Sequence, residues 1–432
     1  MSASRLAFVN ARLVDPESGY DGPGCLLAGD GLIQDVQHRA SFAGRIEDAR
    51  VIDCEGAVLA PGLIDLRVRT GEPGAETRET LKSATDAAAA GGVTTIVLQP
   101  DTEPSVDEPA LVDFLTRRGR DLQSVHVRAC GALTRGLRGE ELAELGLMAE
   151  AGAAYFTDAD HIIADSRVMR RILAYASTFD ALVAHRPSDP WLGKGAAATE
   201  GELSGRMGLP SVPAVAERIM LERDLALAEL TGGRLLIDQI TTADALESLA
   251  RARSRGVEVA ASVSINHLSF NELDIGDYRT FFRLDPPLRP EQDRLALIEA
   301  VRDGAIDAIV SAHTPAPAEG KRLPFAEAAP GAVGLETLLA ASLNLHHEHG
   351  VDLIDVLRPL TLGPAELLRS DAGRLSVGAP ADLVLMDVDA PVVIQAERLI
   401  SRSKNSPFDG RRLQGRVQMT VAGGRIVWRD EG

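Results

Sequence analysis

The residues of this chain whose types suit chemistry stand at the ends of apolar runs. Arg67 and Arg69 lie in DLRVRTGEPG, Asp101 in QPDT and Asp158 in FTDAD. His185 follows in AHRP and His313 in SAHTPA, while Gln239 in DQITT and Ala312 in SAHTPA occupy strand ends without a ligand or a base. Metal-assisted hydrolysis would need three protein ligands plus a water, with a general base to take the proton. Here only Asp158 and His185 are ligand types, with His313 nearby, and two ligands do not complete a catalytic zinc site. Arg67 and Arg69 are alternate residues of one strand and face one side. Buried, unpaired guanidiniums are costly. They are therefore expected to make charge-assisted hydrogen bonds to Asp158, and to Asp65 or Asp101. The alternative is that both snorkel to solvent.

Plainer readings apply to the remaining candidates. His185 reads as a hydrogen-bonded core histidine, Asp158 as a structural partner and His313 as structural. His346, His347 and His349 in NLHHEHG sit at the end of an amphipathic helix and read as surface residues that suit its dipole. No GxSxG elbow, Ser-His-Asp order, GxGxxG or P-loop context is present.

Two kinds of element must position these side chains. The first sixty residues (RLAFVNARLVD, GCLLAGDGLIQDVQ) and the last sixty (ADLVLMDVD, GRVQMTVAGGRIVWRDEG) are short strands broken by Gly, Asp and Pro. The middle alternates strand-like runs (TTIVLQP, SVHVRACGAL, RLLIDQITT) with helical ones (ETLKSATDAAAAGG, SRVMRRILAYASTF). That alternation indicates parallel βα units closing into a (β/α)8 barrel, with chemistry at the C-terminal strand ends. The expected division is a composite β-sandwich from residues 1–58 and 376–432, and a barrel from 59–375. GKGAAATEGELSG (193–205) is the expected mobile loop.

The net charge of −18 and the 4% aromatic content argue against a nucleic-acid surface. Three scattered cysteines fit a reducing cytoplasm. No run reaches membrane-spanning length, so a soluble cytoplasmic protein is expected.

The sequence resembles the dihydroorotases of the amidohydrolase superfamily from end to end. VLAPGLIDLRVRTGEPG followed by GGVTTIVLQPDTEP parallels their first signature. LGKGAAATEGELSGRMGLPSVPAVAERI, FFRLDPPLR, GAVGLETLL and SKNSPFDGRRLQGRVQMTVAGGRIV parallel later ones. The resemblance implies a barrel with a satellite β-domain and, in an intact member, a zinc centre. The departures concentrate at that centre. The metal-binding His-x-His is Arg67 and Arg69, a third metal histidine is Gln239, and the aspartate that serves as ligand and base is Ala312. Asp158 and His185 stand at the two retained metal positions. The substrate positions are Gly71, Asp101 and Ala316. This pattern resembles the family's non-catalytic homologues, which associate with aspartate transcarbamoylase. It implies no zinc, no catalytic residue, and a structural or regulatory role in pyrimidine biosynthesis as a homo-oligomer with that enzyme's catalytic chain as partner. The competing reading is an active cyclic amidase with a rebuilt site.

Overall fold

The computed structural model describes residues 5–431 except 44, 45 and 47. Parallel pairing runs around a closed barrel. Leu63–Val68 pairs with Val93–Leu98, which pairs with His126–Ala129. Gly131 and Val183 each bridge to Phe156, so the fourth strand is reduced to a short extended segment. Leu182–His185, Arg234–Ile237, Val259–Ser264 and Ala308–Val310 continue the order. A parallel bridge from Val68 to His313 closes the ring. The interior is filled by Ile64, Leu66, Val97, Leu182, Ala184, Leu236, Ala308 and Val310, with Leu368 and Ala372 in the same cluster. It is a packed core and not a pore, as barrel geometry requires.

Local chemistry sets the helices around it. Thr80 caps Leu81–Ala90 reciprocally with Ser83, and six of the ten helical residues are buried. Asp165 caps Ser166–Ala176, where Val168, Met169, Ile172, Leu173 and Ala176 form one apolar face. Leu338–His347 differs from its expected amphipathic form, being buried along most of its length. His346 and His347 are half-buried there and bond the Val351 and Val388 carbonyls. They are held by backbone and are not free surface groups. The segment expected to be a mobile loop carries regular structure in part. Ala198–Thr199 pairs in parallel with Ser211–Val212, and Glu202–Met207 is helical between them.

Strands from both termini form one eight-stranded sheet. Its order is Arg425–Arg429, Arg412–Ala422, Leu383–Val393, Val58–Pro61, Arg5–Asp15, Tyr20–Gly29 and Leu32–Gln37, with Ala49–Asp53 on the other side of Arg5–Asp15. The sheet curls over its own core of Phe8, Leu13, Leu26, Leu59, Leu383, Leu385 and Met419. Alternate residues Val58, Ala60, Val384 and Met386 join the barrel's outer core instead. Val58–Pro61 is therefore shared, and it runs through Gly62 straight into the first barrel strand. A Cβ at Gly62 would lie 2.2 Å from the Thr94 side chain, so only glycine lets the strands approach this closely. Among the described residues, no helix is long and apolar enough to cross a membrane.

Candidate functional site

The mouth begins with an irregularity in the first strand. Asp65 pairs with Ile96 and Val68 with Leu98, so three steps on one strand oppose two on the other. Such a bulge re-aims side chains. Leu66 enters the barrel core, and Arg67 and Arg69 also line the mouth. Asp65 accepts bonds from Ser311 and from the Arg67 backbone N–H, and pairs with neither guanidinium. Burial pushes its carboxyl up to about 6, although the Ser311 hydroxyl works against that shift.

The arginines are paired as a network centred on Asp160. Arg67 Nη2 lies 2.7 Å from Asp160 Oδ1, and Arg67 Nε lies 3.0 Å from Asp238 Oδ2. Arg69 Nη2 is 2.6 Å from Asp160 Oδ2, and its Nε is 2.6 Å from Asp101 Oδ2. Arg186 adds a third guanidinium, 3.5 Å from Asp160 and 2.8 Å from Asp285. The Arg67 side chain is 2% exposed, so it does not snorkel. Burial opposes charge on Asp160, yet Arg69, Arg186 and Arg67 hold its carboxyl far below the usual range. The carboxylates in turn hold Arg69 and Arg186 above the usual guanidinium range against burial.

Asp158 is not the partner that the sequence suggested. Its carboxylate accepts from the Leu133 and Thr134 N–H groups and from the Thr134 hydroxyl, which pins the preceding loop. Burial raises its pKa, and those bonds offset part of the rise. The intervening Ala159 has φ 54°, a left-handed turn that separates the courses of Asp158 and Asp160. Reading FTDAD by composition favoured its first acid. The second is the one in the mouth. Arg186, Asp238 and Asp285 were likewise present in AHRP, DQITT and FFRLDPPLR, and the missing information was direction.

The other positions are equally specific. His185 Nδ1 lies 2.6 Å from Asp224, while Nε2 accepts the Ile163 N–H at 3.1 Å. Both ring nitrogens are engaged, leaving no lone pair for a metal. His313 Nδ1 accepts the Gly334 N–H, and its Nε2 faces Glu79 at 3.7 Å. Gln239 and Ala312 both line the mouth with left-handed backbone, at φ 64° and 51°. Gly71 lies in a turn closed by Ala75 N–H to Gly71 O. A Cβ there would stand 1.8 Å from the Ala75 carbonyl oxygen, so no arginine fits without reopening the turn. Asp101 faces Arg69, and Ala316 is buried with its N–H on Asn405.

The space left is about 60 Å³, lined also by Ser264, Asn266 and His267. An apolar cavity that admits benzene is about 150 Å³. Burial, aided by Arg289, pushes His267 down to about 4. Among the described residues, no three His, Cys, Asp or Glu side chains are grouped so as to hold a metal. The mouth carboxylates are neutralised by guanidiniums that would repel a cation. This donor set does not fit a dinuclear metal centre.

Known proteins place the chain. A dihydro-orotase-like family profile matches residues 56–245, and an amidohydrolase family profile matches 214–427. A dihydroorotase of Anaplasma phagocytophilum is 38% identical, covering 99% of this chain and 96% of that protein. One of Syntrophus aciditrophicus is 36% identical, covering 99% and 100%. Among solved structures, the L-hydantoinase (dihydropyrimidinase) of Arthrobacter aurescens superimposes with a TM-score of 0.89 at 23% identity, covering 99% and 96% of the two chains. That likeness carries the barrel-plus-sheet fold. With relatives this similar along nearly its whole length, the chain belongs to the dihydroorotase family of the amidohydrolases.

Proposed function

We propose that this chain is a dihydroorotase-family protein without hydrolytic activity, serving as a structural or regulatory subunit for aspartate transcarbamoylase. The observation that carries the loss of hydrolysis is the sharing of Asp160 among Arg67, Arg69 and Arg186. Opening a cyclic amide requires a polarised carbonyl and a base for the attacking water. Asp160 is too acidic to serve as that base, and position 312 is alanine. The guanidiniums are already neutralised by Asp101, Asp238 and Asp285. The partner assignment rests on family resemblance, since scaffold motifs are kept while the site is rewritten. The same reading expects no zinc and a homo-oligomer in the cytoplasm.

A second reading has specific support. The relatives are named dihydroorotases, and His267 presents a neutral imidazole to the cavity. Its Nε2 lies 3.4 Å from the Pro287 carbonyl, and its buried Nδ1 has no hydrogen-bond partner. An imidazole so placed could accept a proton from water. Two measurements on the purified chain separate the readings. One is turnover of dihydroorotate; the other is mass in solution with the aspartate transcarbamoylase of the same organism. A larger, defined assembly without turnover supports the subunit. Turnover abolished by His267→Ala supports the rebuilt amidase and overturns the first reading.

A further inference from the structure

At the opposite end of the barrel a cleft of about 390 Å³ opens between the strand starts and the satellite sheet. Ile64, Leu368 and Ala372 give it an apolar floor, where the barrel core reaches the surface. Arg120, Arg128 and Arg425 line it from three places. Arg120 comes from the last turn of Pro109–Leu122, Arg128 from the third barrel strand, and Arg425 from the final strand of the sheet. His126 joins them. The lining acid, Asp382, is already engaged, with Oδ1 at 2.8 Å from His126 Nε2 and 2.7 Å from the Gly423 N–H.

The cleft is therefore cationic within a chain of net charge −18. Among the described residues no carboxylate forms an ion pair with any of its three arginines. Arg128 is half-buried, and burial pushes its guanidinium down because no acid compensates. A desolvated, unpaired guanidinium is unfavourable until an anion supplies the missing partner. Forked guanidiniums converging from separate elements match the several oxygens of a phosphate better than a single carboxylate. Ser370 stands on the same lining. The cleft lies within the usual size range of small-molecule sites, about 300–1,000 Å³.

We propose that this cleft binds a small phosphomonoester whose phosphate pairs with Arg128 and Arg425 and whose apolar or ring-shaped body lies on Ile64, Leu368 and Ala372. The site is separate from the mouth and independent of whether the mouth retains chemistry. The test is isothermal titration of the full chain with phenyl phosphate and with inorganic phosphate. The expected result is one saturable site per chain, with phenyl phosphate the tighter probe and both weakened by added salt. Arg128→Gln should weaken phenyl phosphate at least about tenfold, since a hydrogen bond to a charged group is lost. Arg425→Gln, at the exposed rim, should act in the same direction and provides a second variant should the first fail to fold. Absence of saturable binding at millimolar probe overturns the proposal. So does affinity unchanged in both variants, which would put the anion elsewhere. Equal affinity for the two probes would remove the apolar floor from recognition and overturn the ligand class.

Discussion

Arginines crowd both ends of this barrel under opposite conditions. At the mouth, Arg67, Arg69 and Arg186 meet Asp101, Asp160, Asp238 and Asp285 within 2.6–3.5 Å. At the bottom, Arg120, Arg128 and Arg425 surround a cleft whose acid is already taken by His126 and Gly423. Paired charge in a water-poor mouth acts as internal bracing and leaves little attraction for a ligand. Unpaired charge beside an open cleft does the reverse. It contributes little to the fold and remains available to an anion. In this molecule, capacity for binding has to be read from the partners of the arginines and not from their number.

The comparison can be broken most readily at its centre. Asp160→Ala leaves three guanidiniums sharing three carboxylates without the one that joined them. Removing one partner of a buried network typically destabilises by about 3–5 kcal/mol, and partial exposure of Asp160 favours the lower end. Urea unfolding measures it, and a change near zero would show that the mouth is not braced by charge. Arg67→Met follows at about 3 kcal/mol, because Asp238 loses its guanidinium partner in a nearly dry site. Adding Asp238→Leu should recover part of that loss, and strictly additive losses would deny that the two residues are coupled.

The pH dependence sharpens the picture of a desolvated mouth. His267 is depressed to about 4 in the fold, against about 6.5 in an unfolded chain. A depressed folded pKa gives stability that is present above the unfolded value and lost as pH falls through the folded one. Between pH about 6.5 and about 4, wild type should lose up to about 3 kcal/mol relative to His267→Gln. Asp65, raised to about 6, acts with the opposite sign over pH about 6 to 4 in both proteins and cancels in that difference. A flat difference would place His267 in contact with water. The smallest effect belongs to the far end. Arg128→Gln should leave unfolding stability unchanged or raise it by up to about 1 kcal/mol, since no ion pair is lost and a desolvated charge is removed. A loss comparable to that of Arg67→Met would erase the contrast between the two ends.

The strand-helix alternation made the barrel legible in the sequence, and the β-rich termini announced the satellite sheet. Three features escaped because they depend on direction. A bulge after Asp65 takes Leu66 and Arg67 both inward, which simple alternation does not anticipate. The left-handed Ala159 directs the second acid of FTDAD, not the first, to the arginines. Leu338–His347 carries polar residues at its end and is nevertheless packed under Arg412–Ala422, so its histidines bond backbone. The bottom cleft has no signature at all, since Arg120, Arg128 and Arg425 come together only through the fold.

The proposal that paired guanidiniums leave this mouth unable to hold a metal is tested most directly by zinc content. The chain would be purified without chelator, equilibrated with a modest excess of zinc, desalted and analysed for metal per chain. The account predicts far less than one equivalent, with no gain in Asp160→Ala. One or two tightly held equivalents per chain, released only by strong chelators, would contradict it.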